Sequence, residues 1–227
     1  MEIINQTWYL FKKEITLEWR SKYAFNGVVL YVVSTVFICY ISFNLNAGFK
    51  GSKSYAIVWN VLFWIIMLSA SVNAIAKSFM QESKNRLLYY YSIASPQAII
   101  LSKTIYNILL MSLLSCLALC AYTMFFANPV ADPLYYFLTV LLGSVSFSSI
   151  FTMISAIASK AGNNGTLMAI LSFPVIIPVI LLLIRLSKNA MDGIERNFSY
   201  SDIVLLTAIN VIAITASLLL FPFLWRD

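Results

Sequence analysis

The chain has 227 residues, of which 61% are hydrophobic and 11% are charged. Soluble domains are about half apolar and about a quarter charged, so this composition excludes an ordinary soluble domain and favours a chain solvated by lipid. The net charge is +6 and there is no histidine. The lack of histidine removes the commonest metal ligand and general base. The positive charge favours loops that face anionic lipid over a nucleic-acid site.

Residues 1–23 predict an amphipathic helix. Apolar side chains recur there at helical spacing, at Ile4, Trp8, Phe11, Ile15 and Trp19. The charged side chains of Lys12, Lys13 and Glu14 are expected to turn to the other side. A basic amphipathic segment that joins a spanning helix directly is expected to lie in the membrane interface as an elbow.

Six apolar segments follow, and each is long enough to cross a bilayer at about 1.5 Å per residue. They cover residues 24–44, 55–76, 104–127, 135–159, 166–184 and 203–225. The predicted fold class is therefore an all-α membrane protein, with the elbow at residues 1–23 and a six-helix transmembrane domain at residues 24–227.

The orientation follows from the lysines and arginines. With the N-terminus in the cytoplasm, ten of the 15 lie on the inner side and five on the outer side. The outer five are Lys50, Lys53, Arg185, Lys188 and Arg196. A twofold excess on the inner side predicts that both termini are cytoplasmic.

The longest cytoplasmic connection runs through residues 77–103. Ser95 followed by Pro96 is a typical helix start, with the cap at the serine and proline in the first turn, and it leads into the third span. We expect a short helix at about residues 79–95 on the cytoplasmic face. It is either a docking surface for another protein or an interfacial connector with snorkelling charges.

Two spans carry features of helix packing. In the fourth span, small residues such as Gly143, Ser144 and Ser148 predict a close-packing face, either within the bundle or across a dimer. In the fifth span, Pro174 and Pro178 each remove a backbone donor and predict a kink. After that span, residues 186–202 form the longest outer loop, where apolar residues at intervals of four predict a short amphipathic helix.

The sequence lacks the residues that several chemistries need. It has no Gly-rich phosphate loop ending in Gly-Lys-Ser or Gly-Lys-Thr. The predicted spans hold no charged side chain, whereas ion-coupled carriers generally keep such groups inside the bilayer. We therefore expect no catalytic, cofactor or metal site in this chain, and any energy for transport has to come from a partner.

The order of elbow, spans and docking helix resembles the short permease subunits of ABC-2-type exporters. Within that group, the chain is similar to the CcmB family, the permease-like subunits of the haem-handling ABC complex of cytochrome c maturation. The residues that carry the resemblance are 11–14 with Arg20, 78–83, 86–91, 95–103 and 173–178.

The resemblance implies a subunit of the bacterial inner membrane that is not itself an enzyme. Its partners would be a CcmA-like ATPase, CcmC-like and CcmD-like membrane subunits, a CcmE-like haem chaperone and a second copy of the chain. Haem would be the cargo of the complex and ATP would bind the partner. The ATPase would dock on the cytoplasmic helix, at Glu82, Arg86, Leu87, Leu88, Tyr89, Tyr90, Tyr91, Ser95 and Pro96.

Three other functions fit the same pattern of residues. The chain could be an ABC-2 permease that exports a drug, a lipid or a glycan, which would share the ATPase docking but not the cargo. It could be a stand-alone channel or carrier, against which the uncharged spans count. It could also be an assembly scaffold that translocates nothing.

Overall fold

The computed structural model describes residues 2–21, 23–44, 53–80, 94–160, 165–194 and 196–226. Within these residues the secondary structure is entirely helical, with seven α-helices and one 3-10 turn at Arg196–Ser199. The α-helices are α1 Glu2–Ser21, α2 Tyr23–Asn44, α3 Lys53–Met80, α4 Pro96–Phe125, α5 Pro133–Lys160, α6 Gly165–Met191 and α7 Tyr200–Arg226.

The six helices from α2 to α7 are each long and apolar enough to cross a membrane. The predicted all-α membrane fold class is therefore confirmed. The first helix, α1, lies outside these candidate spans and ends two residues before α2 begins. Its role as an interfacial elbow stays a prediction.

Helix α5 occupies the centre of the bundle and packs against α3, α4, α6 and α7. In its span 67% of the residues are buried, against 17% in that of α2. Most of its serine and threonine hydroxyl groups donate a hydrogen bond to a backbone carbonyl one turn earlier in the same helix, as Ser146 does to the Leu142 carbonyl at 2.9 Å. The small polar side chains therefore leave room for close contact with neighbouring helices at little cost in unpaired hydrogen bonds.

Helix α3 is fixed to three neighbours by hydrogen bonds from large side chains. Tyr122 of α4 donates to the Trp59 carbonyl at 3.0 Å, and Tyr136 of α5 donates to Asn60 Oδ1 at 3.3 Å. On the α6 side, Trp64 Nε1 donates to Ser187 Oγ at 2.9 Å. Trp59, Trp64, Tyr122 and Tyr136 are among the largest fully buried side chains. Hydrogen bonds in so dry a core hold the four helices in one arrangement.

Two helices extend beyond their predicted spans. The third span, expected at residues 104–127, lies in the helix whose start the sequence predicts at Ser95 and Pro96, and Lys103 is therefore inside that helix. The amphipathic helix expected in the loop at residues 186–202 is not formed, because α6 continues to Met191. The chain then turns at Gly193, whose positive φ of 66° ends the helix in the conformation that glycine adopts without strain.

Candidate functional site

The candidate functional site lies where the connection between α3 and α4, which the sequence predicts to be cytoplasmic, enters α4. Most residues predicted to dock the ATPase, namely Glu82, Arg86 and residues 87–91, lie outside the described residues. Ser95 and Pro96 are described, and they begin α4 as the sequence predicts. Ser95 has extended backbone angles, its Oγ accepts a hydrogen bond from the Ala98 N–H at 3.4 Å, and Pro96 occupies the first turn.

Ser95 also joins the start of α4 to the N-terminal helix. Its backbone N–H and its hydroxyl both donate to Gln6 Oε1, at 3.1 Å and 3.0 Å. One amide oxygen of α1 thus accepts two hydrogen bonds from the residue that caps α4. The orientation of α1 is therefore tied to the last residues of the connection between α3 and α4.

An ion pair joins the same two helices two turns further along α4. Lys103 Nζ lies 3.6 Å from Glu14 Oε1, and Lys13 Nζ lies 2.8 Å from the same oxygen. Lys103 is only 3% exposed. Burial alone would raise the pKa of Glu14, but the two ammonium groups outweigh it and hold that pKa below its ordinary value. Glu14 is therefore a carboxylate at neutral pH, and its charge stabilises the buried ammonium of Lys103.

The sequence does not predict this pairing. Lys13 and Glu14 are expected together on the polar side of α1, but in the structure this side packs against the bundle. The apolar side faces outward instead, with Trp8 63% exposed and Trp19 77% exposed. Lys12, expected beside Lys13, is exposed. The signal that could have shown the pairing is Lys103 itself. A helix that begins at Pro96 carries it into the second turn, where a lysine needs an anionic partner.

The predicted packing residues of α5 lie within the bundle, where Gly143 and Ser144 contact other helices of the same chain. Gly143 is against Trp64 of α3, and a Cβ atom there would come within 2.6 Å of the indole ring. Ser144 is buried and donates to Ser115 of α4 at 2.8 Å. Ser148 is buried as well and donates to the Val145 carbonyl at 3.0 Å.

The two prolines of α6, Pro174 and Pro178, lie inside one continuous helix and are both exposed. The predicted kink stays a prediction. Helix α7 also contains a proline, Pro222, which sequence reasoning did not single out.

At the opposite end of the bundle, the loop between α4 and α5 is clamped to the end of α6. The N–H groups of Ala131 and Asp132 donate to the Met191 and Ala190 carbonyls, at 3.3 Å and 3.0 Å. Asp132 accepts from Arg196 Nη2 at 2.8 Å and caps α5 by accepting from the Tyr135 N–H at 3.1 Å. These hydrogen bonds hold the pKa of Asp132 below its ordinary value. We call Asp132, Arg196 and these carbonyls the outer clamp, after the outer side that the sequence predicts for this end.

Comparison with known proteins identifies the family. The family model of the CcmB protein matches residues 5–224, which is nearly the whole chain and includes both the α1–α4 junction and the outer clamp. No curated protein gives a significant match. Together with the six apolar helices, this match shows that the chain belongs to the CcmB family, the multi-pass permease-type membrane subunits of the haem-exporting ABC transporter of cytochrome c maturation.

Proposed function

We propose that this chain transmits the movement of a partner ATPase through the bacterial inner membrane and so couples ATP hydrolysis to haem export or to release of the haem-loaded chaperone. The observation that carries the proposal is the junction between α1 and α4. The cytoplasmic connection ends at Ser95, which is bonded to Gln6, and the ion pair of Glu14 and Lys103 lies two turns further on.

The connection joins α3 to α4, and both are firmly held in the bundle. A force applied to residues 81–93 therefore acts on two helices at once. From α3 it reaches α5 and α6 through Asn60 and Trp64, which bond to Tyr136 and Ser187. From α4 it reaches α1. Because packed helices move as units, a displacement at the cytoplasmic face is expected to reorient α1 and the core together.

The partners in this proposal are a CcmA-like ATPase on the cytoplasmic face, CcmC-like and CcmD-like membrane subunits, a CcmE-like haem chaperone and a second copy of the chain. Glu82, Arg86 and residues 87–91 are the proposed ATPase contacts. The chain adds no catalytic group of its own, because the sequence has neither a phosphate-binding loop nor a histidine.

Recovery of the tagged chain from its native membrane in mild detergent, followed by mass spectrometry, tests the assembly. We expect a P-loop ATPase together with CcmC-like and CcmD-like chains. Arg86→Glu combined with Leu87→Asp is expected to remove the ATPase from the complex. The charge reversal Lys188→Glu, at an exposed position of α6, is the matched control. An ATPase that stays bound to the double variant would move the docking surface elsewhere.

A second variant separates docking from transmission. Gln6→Leu removes the amide oxygen that accepts both hydrogen bonds from Ser95, while leaving all the predicted docking residues and the cap of α4 unchanged. We expect the ATPase to stay bound and to hydrolyse ATP, but release of the haem-loaded chaperone per ATP to fall. Asn5→Leu, at an exposed position of α1, is the control. Unchanged release in Gln6→Leu would exclude this pair of hydrogen bonds as the route of coupling.

We further propose that haem is cargo of the complex and is not held by this chain through an axial ligand. Histidine is absent, so only tyrosine, methionine or cysteine could serve. The purified chain titrated with haem is expected to show no stoichiometric shift of the Soret band. A sharp shift that saturates at one haem per chain would overturn this part of the proposal.

A further inference from the structure

The small residues of α5 that the sequence offers as a dimer face do not reach the surface of the bundle. Gly143, Ser144 and Ser148 are all buried within one chain. A second copy of the chain therefore has to contact another surface. Two kinds of hydrogen-bonding group on the outside of the bundle indicate which one, an acceptor on α6 and a donor on α2.

The acceptors are backbone carbonyls of α6. Because the nitrogens of Pro174 and Pro178 carry no hydrogen, the carbonyls of Ile170 and Pro174 lack the donor that a helix normally supplies four residues later. All three residues are exposed and follow one another at intervals of one turn along the same side of α6. Lipid tails have no donor to offer. Such carbonyls in membrane helices are commonly paired by neighbouring helices or by hydroxyl side chains.

The donor is the hydroxyl group of Ser34 in α2. Several exposed hydroxyl groups within the spans donate to a carbonyl one turn earlier in their own helix, as those of Ser42, Thr207 and Thr215 do. Ser34 is exposed as well, but its hydroxyl has no hydrogen-bond partner in the part of the chain that the structure describes. An acceptor for it has to come from outside the chain.

Donor and acceptor lie at the same depth in the membrane. Ser34 is the middle residue of the apolar stretch at residues 24–44, and Pro174 is next to Val175, the middle residue of the stretch at residues 166–184. As the first and the fifth of six spans, α2 and α6 also cross the membrane in the same direction.

The two groups are kept apart within one chain because α3 lies between α2 and α6. Tyr55 of α3 contacts Phe43 of α2, with 6.1 Å between the ring centroids, whereas Trp64 of α3 bonds to Ser187 of α6. Tyr55 and Trp64 are nine residues apart, which is two and a half turns and places them on opposite sides of α3. Helices α2, α3 and α6 therefore form one face in that order.

We propose that a second copy of the chain docks on this face, with the Ser34 hydroxyl of each copy donating to the Pro174 carbonyl of the other. Rotation by a half-turn about an axis normal to the membrane reverses the order of the three helices, so α2 of each copy lies opposite α6 of the other. A different membrane subunit would need a donor and an acceptor of its own at this depth, whereas a second copy has both. The assignment rests on the proposed function, which includes a second copy.

Cysteine cross-linking in native membranes tests the face. The three native cysteines are replaced, and two differently tagged copies are expressed together, one with Ser34→Cys and the other with Ile177→Cys. Ile177 is exposed and lies three residues from Pro174, near the same side of α6. We expect a disulfide-linked dimer that carries both tags. Ile212→Cys in place of Ile177→Cys is the matched control, because Ile212 is exposed near the middle of α7, and it should give no cross-link.

The result separates this assignment from the proposed function. If the two tags are purified together but Ser34→Cys and Ile177→Cys do not cross-link, the face is overturned and the second copy stands. If Ile212→Cys cross-links equally well, the face is overturned too. If the two tags are never purified together, the second copy itself is excluded, and this assignment with it.

Two substitutions test the hydrogen bond. Ser34→Ala removes the donor, and Pro178→Ala supplies an N–H within α6 that occupies the Pro174 carbonyl. Each is expected to weaken dimerisation in liposomes roughly five- to tenfold, because both symmetric bonds are lost, and the double variant should lose no more than either alone. Energy transfer between labelled copies at decreasing protein-to-lipid ratios measures this.

Ser42→Ala is the control for the hydrogen bond, since the Ser42 hydroxyl is already bonded to the Ile38 carbonyl within α2. It should dimerise like the native chain. Equal dimerisation of Ser34→Ala and Ser42→Ala, or additive losses from Ser34→Ala and Pro178→Ala, would overturn the bond between Ser34 and the Pro174 carbonyl.

Discussion

At position 143 of α5, the absence of a side chain lets Trp64 of α3 approach the helix backbone. A Cβ atom there would lie 2.6 Å from Trp64 Cζ3 and 3.3 Å from Leu183 Cδ1. The indole cannot easily withdraw, because its Nε1 is bonded to Ser187. Gly143→Ala is therefore expected to lower the free energy of unfolding by about 1–3 kcal/mol, as overpacking of a core does.

Gly27→Ala in α2 is the matched control for this prediction. A Cβ atom at Gly27 would meet nothing within 4 Å, so the substitution should keep or raise stability through the higher helix propensity of alanine. The thermal unfolding midpoint in one detergent compares the two variants. Equal midpoints would mean that α3 and α5 move apart easily, which would contradict close packing of Gly143 against Trp64.

The ion pair of Glu14 and Lys103 predicts a coupling between two substitutions. Glu14→Gln removes a negative charge 3.6 Å from the nearly buried Lys103, whereas after Lys103→Met the carboxylate keeps Lys13 at 2.8 Å. Glu14→Gln is therefore expected to be the more destabilising change. A double-mutant cycle on the free energy of unfolding should give a coupling of about 0.5–3 kcal/mol. Additive effects would show that the pair contributes nothing.

The lowered pKa of Glu14 also predicts how its contribution depends on pH. A carboxyl group whose pKa is lower in the folded than in the unfolded state makes its full contribution to folding stability at pH values above its ordinary pKa of 4.5. That contribution is lost as the pH falls through the lower, folded value. The stability difference between the native chain and Glu14→Gln should therefore shrink on acidification. A difference that stays constant down to acid pH would contradict the assigned charge.

At the scale of single helices, local signals were predictable, whereas the partner of each helix was not. Ser95 and Pro96 marked the start of α4 because a cap depends only on its own turn. The end of α6 was misplaced at Ile184 because Arg185 and Lys188 are charged. In the structure both lie in the helix, where Arg185 is 3.6 Å from Asp202 and Lys188 is exposed. The pairing of α1 with α4 depends on tertiary packing, which a hydrophobic period does not encode.

Substitutions in the outer clamp distinguish the contribution of the α5 cap to stability from that of the ion pair. Asp132→Asn removes the charge that binds Arg196 but keeps an oxygen able to cap the Tyr135 N–H. Asp132→Ala removes both. Because exposed ion pairs contribute little, we expect Asp132→Ala to lower the unfolding midpoint clearly more than Asp132→Asn does.

Arg196→Met is the control for the outer clamp, since it removes the other half of the ion pair and leaves the cap intact. Its unfolding midpoint should resemble that of Asp132→Asn. If both of these variants lose as much stability as Asp132→Ala, the ion pair rather than the cap holds this end of the bundle.

Over the whole molecule, the two ends are built differently around one core. At one end α1 is bonded to α4 through Gln6, Ser95, Glu14 and Lys103. At the other end a short loop is clamped to α6 and capped onto α5. The core between them contains large aromatic rings bonded across helices. The end that holds buried charge is the one next to the proposed docking segment, where a partner can act on it.

The orientation of the whole chain is the last prediction. With six spans and twice as many cationic residues on the inner side, both termini should be cytoplasmic. Asn5 of α1 and Asn128 between α4 and α5 are exposed and form a matched pair. In a chain whose three cysteines are replaced, a maleimide that cannot cross membranes should label Asn128→Cys in spheroplasts. Asn5→Cys should react only after lysis. The reverse pattern would invert the topology and place the ATPase docking surface on the wrong side of the membrane.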